Sequence, residues 1–187
     1  MYYVYGGSFN PPTLAHLKII EKIKELPSCE KVIILPVGDD YKKPYLVKFE
    51  DRKKMLELAL KDLDDVLIST LEQAYPYQGT LHSLNELKKL YEPICFVIGS
   101  DQLSTLDKWI SYEDLLKSYT FVILQRDQDL TFEQVEQQFK HVKHQFIWVP
   151  FAQDISATKA RLDAKNRAQY LNLDVISYID TKGLYKE

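Results

Sequence analysis

The chain's 187 residues give room for one domain of ordinary size and leave too little for a second independent catalytic domain. With 45% apolar, 12% aromatic and 27% charged residues it matches globular usage, which excludes a disordered chain. The formal charge of -3, from 24 basic against 27 acidic side chains, supplies no cationic excess for a long polyanion, so nucleic acid is not an expected partner. Small phosphorylated ligands stay open, because they need only a few local donors.

In chain order, a β-rich run at 2–5 meets the loop Gly6-Gly7-Ser8-Phe9-Asn10-Pro11-Pro12, and apolar spacing predicts a helix over 13–26. A second apolar run at 32–36 leads through the lysine-bearing stretch Tyr41-Lys42-Lys43-Pro44-Tyr45 to a helix over 51–63. Strands follow at 66–70, 94–98, 121–124 and 146–149, with helices over 80–91 and 132–139 between them. A late helix is expected to start near Ile155-Ser156-Ala157-Thr158-Lys159-Ala160-Arg161. Strands alternating with amphipathic helices predict an α/β fold, a Rossmann-like open and mostly parallel sheet with helices on both faces. In such sheets ligands bind beyond the carboxyl ends of the strands, so the loops after them carry the functional expectation.

Cys29 stands in a polar turn and Cys95 in an apolar run, which gives no disulfide framework. The first residues show no basic segment followed by an apolar one, and nothing approaches the roughly 18 apolar residues of a membrane helix. The expectation is a cytoplasmic protein without a membrane partner.

Glycines at 6 and 7 allow a sharp turn and close approach to a ligand, and Pro11 and Pro12 stiffen the entry to the helix. On that helix Leu17, Ile19, Ile20, Ile23 and Leu26 form the apolar stripe, and His16 falls inside it. Thr13, one turn earlier, shares the face of His16. A helix amino terminus presents unpaired N–H groups and the positive end of the dipole, a seat for phosphate. Read alone, Thr13 is a cap and His16 a satisfied core residue; the glycine pair, the prolines and the helix start together favour an anion site.

The stretch Gly6-Gly7-Ser8-Phe9-Asn10-Pro11-Pro12-Thr13-Leu14-Ala15-His16 resembles the Gly-Gly-Ser/Thr-Phe-Asp/Asn-Pro-x-His/Thr-x-Gly/Ala-His signature of the nucleotidyltransferase superfamily, in its nicotinate mononucleotide adenylyltransferase branch. Gly99-Ser100-Asp101 with Lys108-Trp109, the Ile155 to Arg161 segment, and Val175 to Ile179 with Gly183-Leu184-Tyr185 are similar to that branch's later motifs, in the same order. Thr13 stands where the branch more often has histidine, as in phosphopantetheine adenylyltransferases; Tyr41 to Tyr45 replaces a Pro-His-Lys, and Gly79-Thr80 a Tyr-Thr pair.

The resemblance implies a single nucleotidyltransferase domain over 1–187 that transfers AMP from ATP to nicotinate or nicotinamide mononucleotide and releases pyrophosphate in NAD biosynthesis. His16 and Thr13 then act on the α-phosphate and Arg161 on the departing pyrophosphate. Gly7, Ser8, Phe9, Gly99, Asp101, Ile155, Ser156 and Thr158 are expected around ATP. Thr80, Trp109, Lys43 and Arg126 are expected around the acceptor. Alternatives stand beside several of these: Asp101 and Thr80 as helix caps, and Trp109 as core with Leu103, Leu106 and Ile110. Mg²⁺ is expected to come with the triphosphate rather than in a protein metal site; His82, His141 and His144 lack metal-ligand spacing. The rival readings are an adenylyltransferase with another phosphorylated acceptor, such as phosphopantetheine, and a nucleotide-binding regulator without catalysis.

Overall fold

The computed structural model describes residues 1–125, 131–151 and 157–185. Its six strands are β1 (Tyr2–Gly7), β2 (Lys31–Pro36), β3 (Val66–Ile68), β4 (Ile94–Gly99), β5 (Thr120–Gln125) and β6 (Phe146–Pro150), in the sheet order β3-β2-β1-β4-β5-β6. The pairs β2–β3, β1–β4, β4–β5 and β5–β6 are parallel, as the alternating sequence pattern requires. Each predicted strand is present, with no end moved by more than two residues. The helices are α1 (Leu14–Lys24), α2 (Phe49–Ala59), α3 (Leu71–Ala74), α4 (Thr80–Lys88), α5 (Ser100–Leu103), α6 (Tyr112–Ser118), α7 (Phe132–Phe139), α8 (Ala157–Leu162) and α9 (Leu173–Lys182). The short α3, α5 and α6 escaped the sequence reading because so few turns give little periodicity to detect, and α9, read from the sequence only as a motif at 175–179, is a further helix.

The chain forms two compact units, each assembled from discontinuous segments: 1–6 with 78–152, and 7–77 with 153–187. In the first, β4 and β5 are buried along nearly their whole length, as strands covered on both faces must be. Phe96 meets Phe121 edge-on at 5.6 Å between ring centres, and Phe121 meets Phe146 at 6.0 Å, so aromatic contacts run across three neighbouring strands.

In the second unit α2 and α9 share a core of Met55, Ala59, Leu171, Val175 and Ile179, joined by Ala160 of α8. Leu184 and Tyr185 pack against it. This core fixes α8 and the final residues, and through them Arg161 and Tyr185. The buried face of α2 runs Phe49, Arg52, Met55, Leu56 and Ala59, so its helical stripe contains an arginine.

Candidate active site

The second unit carries the first loop and most of the catalytic candidates. Gly6 and Gly7 end β1 with no positive φ; the left-handed residue is Phe9, at φ 45°. The expectation that the glycines make the sharp turn is therefore corrected. Gly7 eases the packing of the loop, since a Cβ there would make a tight contact, 3.2 Å from the Phe9 ring. The Phe9 ring is buried and lies 5.1 Å from the imidazole of His16.

Thr13 is the residue before α1 and is fully buried. Its backbone N–H donates to Nδ1 of His16 at 2.8 Å, and its hydroxyl oxygen lies 2.8 Å from the same nitrogen. A nitrogen that accepts carries no proton, so the neutral ring bears its hydrogen on Nε2, the form that can donate to a phosphate oxygen. This is half of a capping box, with histidine in the place of the usual acid. Thr13 thus orients His16 from behind the ring. The helix amino terminus is less open than the sequence suggested: the Leu14 N–H donates to the Tyr170 carbonyl at 2.8 Å.

Asn10, almost fully buried, ties three segments to the loop. Its Nδ2 donates to the Tyr45 carbonyl at 2.8 Å, and its Oδ1 accepts from the Tyr185 hydroxyl at 2.7 Å and from the Val47 N–H at 3.3 Å. Its own carbonyl accepts from Nη1 of Arg161 at 2.6 Å, while Nη2 of Arg161 donates to the Thr158 hydroxyl at 3.1 Å. Arg161 is therefore anchored to the same loop that leads into His16.

Lys43 joins them: its ammonium donates to the Ser8 hydroxyl at 3.1 Å. Burial and then the charge of Arg161 hold the Lys43 ammonium below the ordinary lysine range. Two cations near a serine hydroxyl and a left-handed turn make an arrangement to which an anion adds favourably. Beside them opens a cavity of about 420 Å³ lined by Tyr41, Lys42, Lys43, Lys48, Asp51 and Leu184 among others.

The first unit holds the remaining described candidates. Gly99 ends β4 and its N–H donates to the Gln102 side chain at 3.2 Å. Ser100 is buried and bonds the Leu124 carbonyl at 3.1 Å, fixing the turn. Asp101 lies exposed in the first turn of α5 and Gly99 takes the capping position, so the cap reading of Asp101 is corrected. Thr80 is likewise the first residue of α4 and not its cap, which is Gly79 at φ 98°. Trp109 is partly buried and stands edge-on to Phe96 at 6.4 Å, leaving Ile110 exposed. Arg126, Ile155 and Ser156 lie outside the described residues. Among the described residues no group of three or more His, Cys, Asp or Glu converges to hold a metal ion.

Asn10, Arg52 and Tyr185 carry the connections of the first loop and were not singled out as site residues. For Arg52 a signal existed: it falls three residues after Phe49 and three before Met55, on the buried face of α2.

Residues 4–163 match the cytidylyltransferase-like family model. A probable nicotinate-nucleotide adenylyltransferase of Acholeplasma laidlawii (strain PG-8A) is 40% identical over 100% of this chain and 98% of its own. One of Helicobacter pylori (strain ATCC 700392 / 26695) is 37% identical over 85% and 91%. This chain belongs to the nicotinate-nucleotide adenylyltransferase family. Among solved structures, Plasmodium falciparum nicotinic acid mononucleotide adenylyltransferase, complexed with NaAD, superposes with a TM-score of 0.80 at 24% identity, covering 98% of this chain and 96% of that one. That likeness extends the α/β nucleotidyltransferase fold to the chain as a whole.

Proposed function

We propose that this chain transfers the adenylyl group of ATP to the 5′-phosphate of nicotinate mononucleotide, releasing pyrophosphate and forming the dinucleotide. The observation that carries the reading is the anchoring of His16 and Arg161 to one loop, with Nδ1 of His16 accepting from Thr13 and the Asn10 carbonyl accepting from Arg161. The relatives' names supply the acceptor.

The attacking phosphate is already an anion, so no protein nucleophile or base is required; positioning and charge neutralisation carry the rate. His16 donates from Nε2 to the α-phosphate oxygens as negative charge gathers there. Arg161 neutralises the departing pyrophosphate; Lys43, expected from the sequence around the acceptor, is read instead on the same phosphates because it donates to Ser8 of the first loop, and Ser8 and Thr158 add hydroxyl donors. Gly99 and Asp101 are read as the ribose side of the nucleotide, and Trp109 and Thr80 as the pyridine side. Mg²⁺ belongs to this proposal as an ion carried in with the triphosphate, where it would offset charge on the phosphate oxygens and keep most of its waters, so that few protein ligands are needed. A cytoplasmic setting is part of the same reading, supported by the free thiols Cys29 and Cys95.

The test is purified protein with ATP and Mg²⁺, offered nicotinate mononucleotide, nicotinamide mononucleotide and phosphopantetheine in turn, with pyrophosphate release followed. Release with nicotinate mononucleotide is expected. Release only with phosphopantetheine, or with none of them, overturns the proposal.

A further inference from the structure

Arg52 is a fully buried cation on a helix that the reaction does not use. Burying a guanidinium is costly unless its donors are satisfied. Here two of its three nitrogens are spent on backbone carbonyls of two different loops: Nε donates to the Val47 carbonyl at 2.9 Å, and Nη1 donates to the Ser8 carbonyl at 3.1 Å. The remaining nitrogen, Nη2, lies 3.6 Å from Asp39, beyond hydrogen-bond reach. Asp39 is itself held by the Phe49 N–H, which donates to it. The guanidinium also lies over the Phe49 ring at 5.5 Å, so its plane is fixed from a third side.

The two carbonyls are not arbitrary points. Ser8 and Lys43 belong to the two loops so joined, and the Lys43 ammonium donates to the Ser8 hydroxyl. A lysine on an exposed loop ordinarily spends rotamer and loop entropy to find its partner. Fixing both backbones by one planar, forked donor removes much of that cost before any ligand arrives.

We propose that Arg52 is a positioning residue: by clamping the Ser8 and Val47 carbonyls it presets the distance between the first loop and Lys43, and so the geometry of the phosphate-binding cation. This rests on the adenylyl-transfer reading for its biological meaning, but not for its test, which uses inorganic triphosphate as the probe. A lysine cannot replace Arg52 here, because one ammonium cannot span two carbonyls in the fixed fork of a guanidinium.

The experiment is a double-mutant cycle on the full chain. Triphosphate binding is measured by calorimetry for wild type, Arg52→Met, Lys43→Ala and the double variant, with the melting temperature of each. Arg52→Met is expected to bind about tenfold more weakly, the order of losing one charged hydrogen bond. In the Lys43→Ala background the same substitution is expected to change affinity less than threefold, because the cation it positions is gone. Equal losses in both backgrounds, or wild-type affinity in Arg52→Met, overturn the proposal. Should Arg52→Met not fold, Arg52→Lys decides it: weakened binding with folding restored supports the clamp, and wild-type binding overturns it. A wild type that releases pyrophosphate but does not bind triphosphate also overturns the clamp while leaving the proposed activity standing. A wild type that binds triphosphate but transfers nothing to any acceptor does the reverse.

Discussion

Replacing Tyr185 by Phe removes a single oxygen and tests whether the end of the chain holds the first loop. The phenol donates at 2.7 Å to Oδ1 of Asn10, a residue 1% exposed, and its pKa is pushed well up, chiefly by burial. Arg161, Arg52 and Arg167 pull the other way without outweighing it, so the neutral donor form is the one present at physiological pH. A neutral intramolecular hydrogen bond contributes about 1 kcal/mol net, and a buried acceptor left unpaired costs about 1–3 kcal/mol. Asn10 Oδ1 keeps the longer bond from the Val47 N–H at 3.3 Å, which places the cost at the low end, about 1–1.5 kcal/mol. For a chain of this size that is a fall of roughly 2–6 °C in melting temperature. In urea the midpoint is expected to drop with an unchanged slope, since a removed hydroxyl alters no surface exposed on unfolding. Because the Asn10 carbonyl also holds Arg161, kcat/KM for ATP is expected to fall a few-fold in the same variant. A melting temperature and kcat/KM both equal to wild type would falsify the idea that the last residues position the loop.

Three further outcomes are expected. His16→Ala lowers kcat by a hundredfold or more, the order for losing one transition-state donor, with the far-ultraviolet circular dichroism unchanged; an unaltered kcat removes His16 from the mechanism. The Lys43 ammonium, held low by burial and by Arg161, loses its proton at a lower pH than an ordinary lysine, so KM for ATP rises on the alkaline side; Lys43→Arg flattens that rise, and a wild-type KM that stays flat up to the ordinary lysine range contradicts the placement. Tyr178, which donates to Asp51 at 2.8 Å, has its phenol pushed up to about 12 from 10.0 by burial and by that carboxylate. A raised folded-state pKa means that the folded chain binds the proton more tightly, so its stabilisation is complete below pH 10 and lost as pH rises through 12. Tyr178→Phe is therefore expected to be less stable than wild type at pH 8 and to converge with it above pH 12; parallel stability curves for the two would refute the assignment.

The strand-and-helix alternation, the six strands and the helices over 80–91 and 132–139 were readable because hydrophobic periodicity is a local property. So was the motif running from Gly6 to His16, whose residue types state their chemistry without a structure. Local pattern could not reveal partners far along the chain. Nothing in the sequence says that Tyr185 meets Asn10, or that Arg161 reaches the Asn10 carbonyl. The glycines illustrate the limit from the other side: composition suggested a turn at Gly6 and Gly7, whereas the positive φ belongs to Phe9 and Gly7 makes room for its ring.

What the sequence by itself determined is the class of fold and the kind of side chains brought to the site, because burial period and chemical type are encoded residue by residue. Which backbone groups those side chains hold was decided only in three dimensions. Arg52 is the clearest case, since its helical position marks it as buried, while the Ser8 and Val47 carbonyls it satisfies lie on loops joined only by folding. Most buried donors find an acceptor, and only the packing of α2 against both loops settles which carbonyls Nε and Nη1 of Arg52 take.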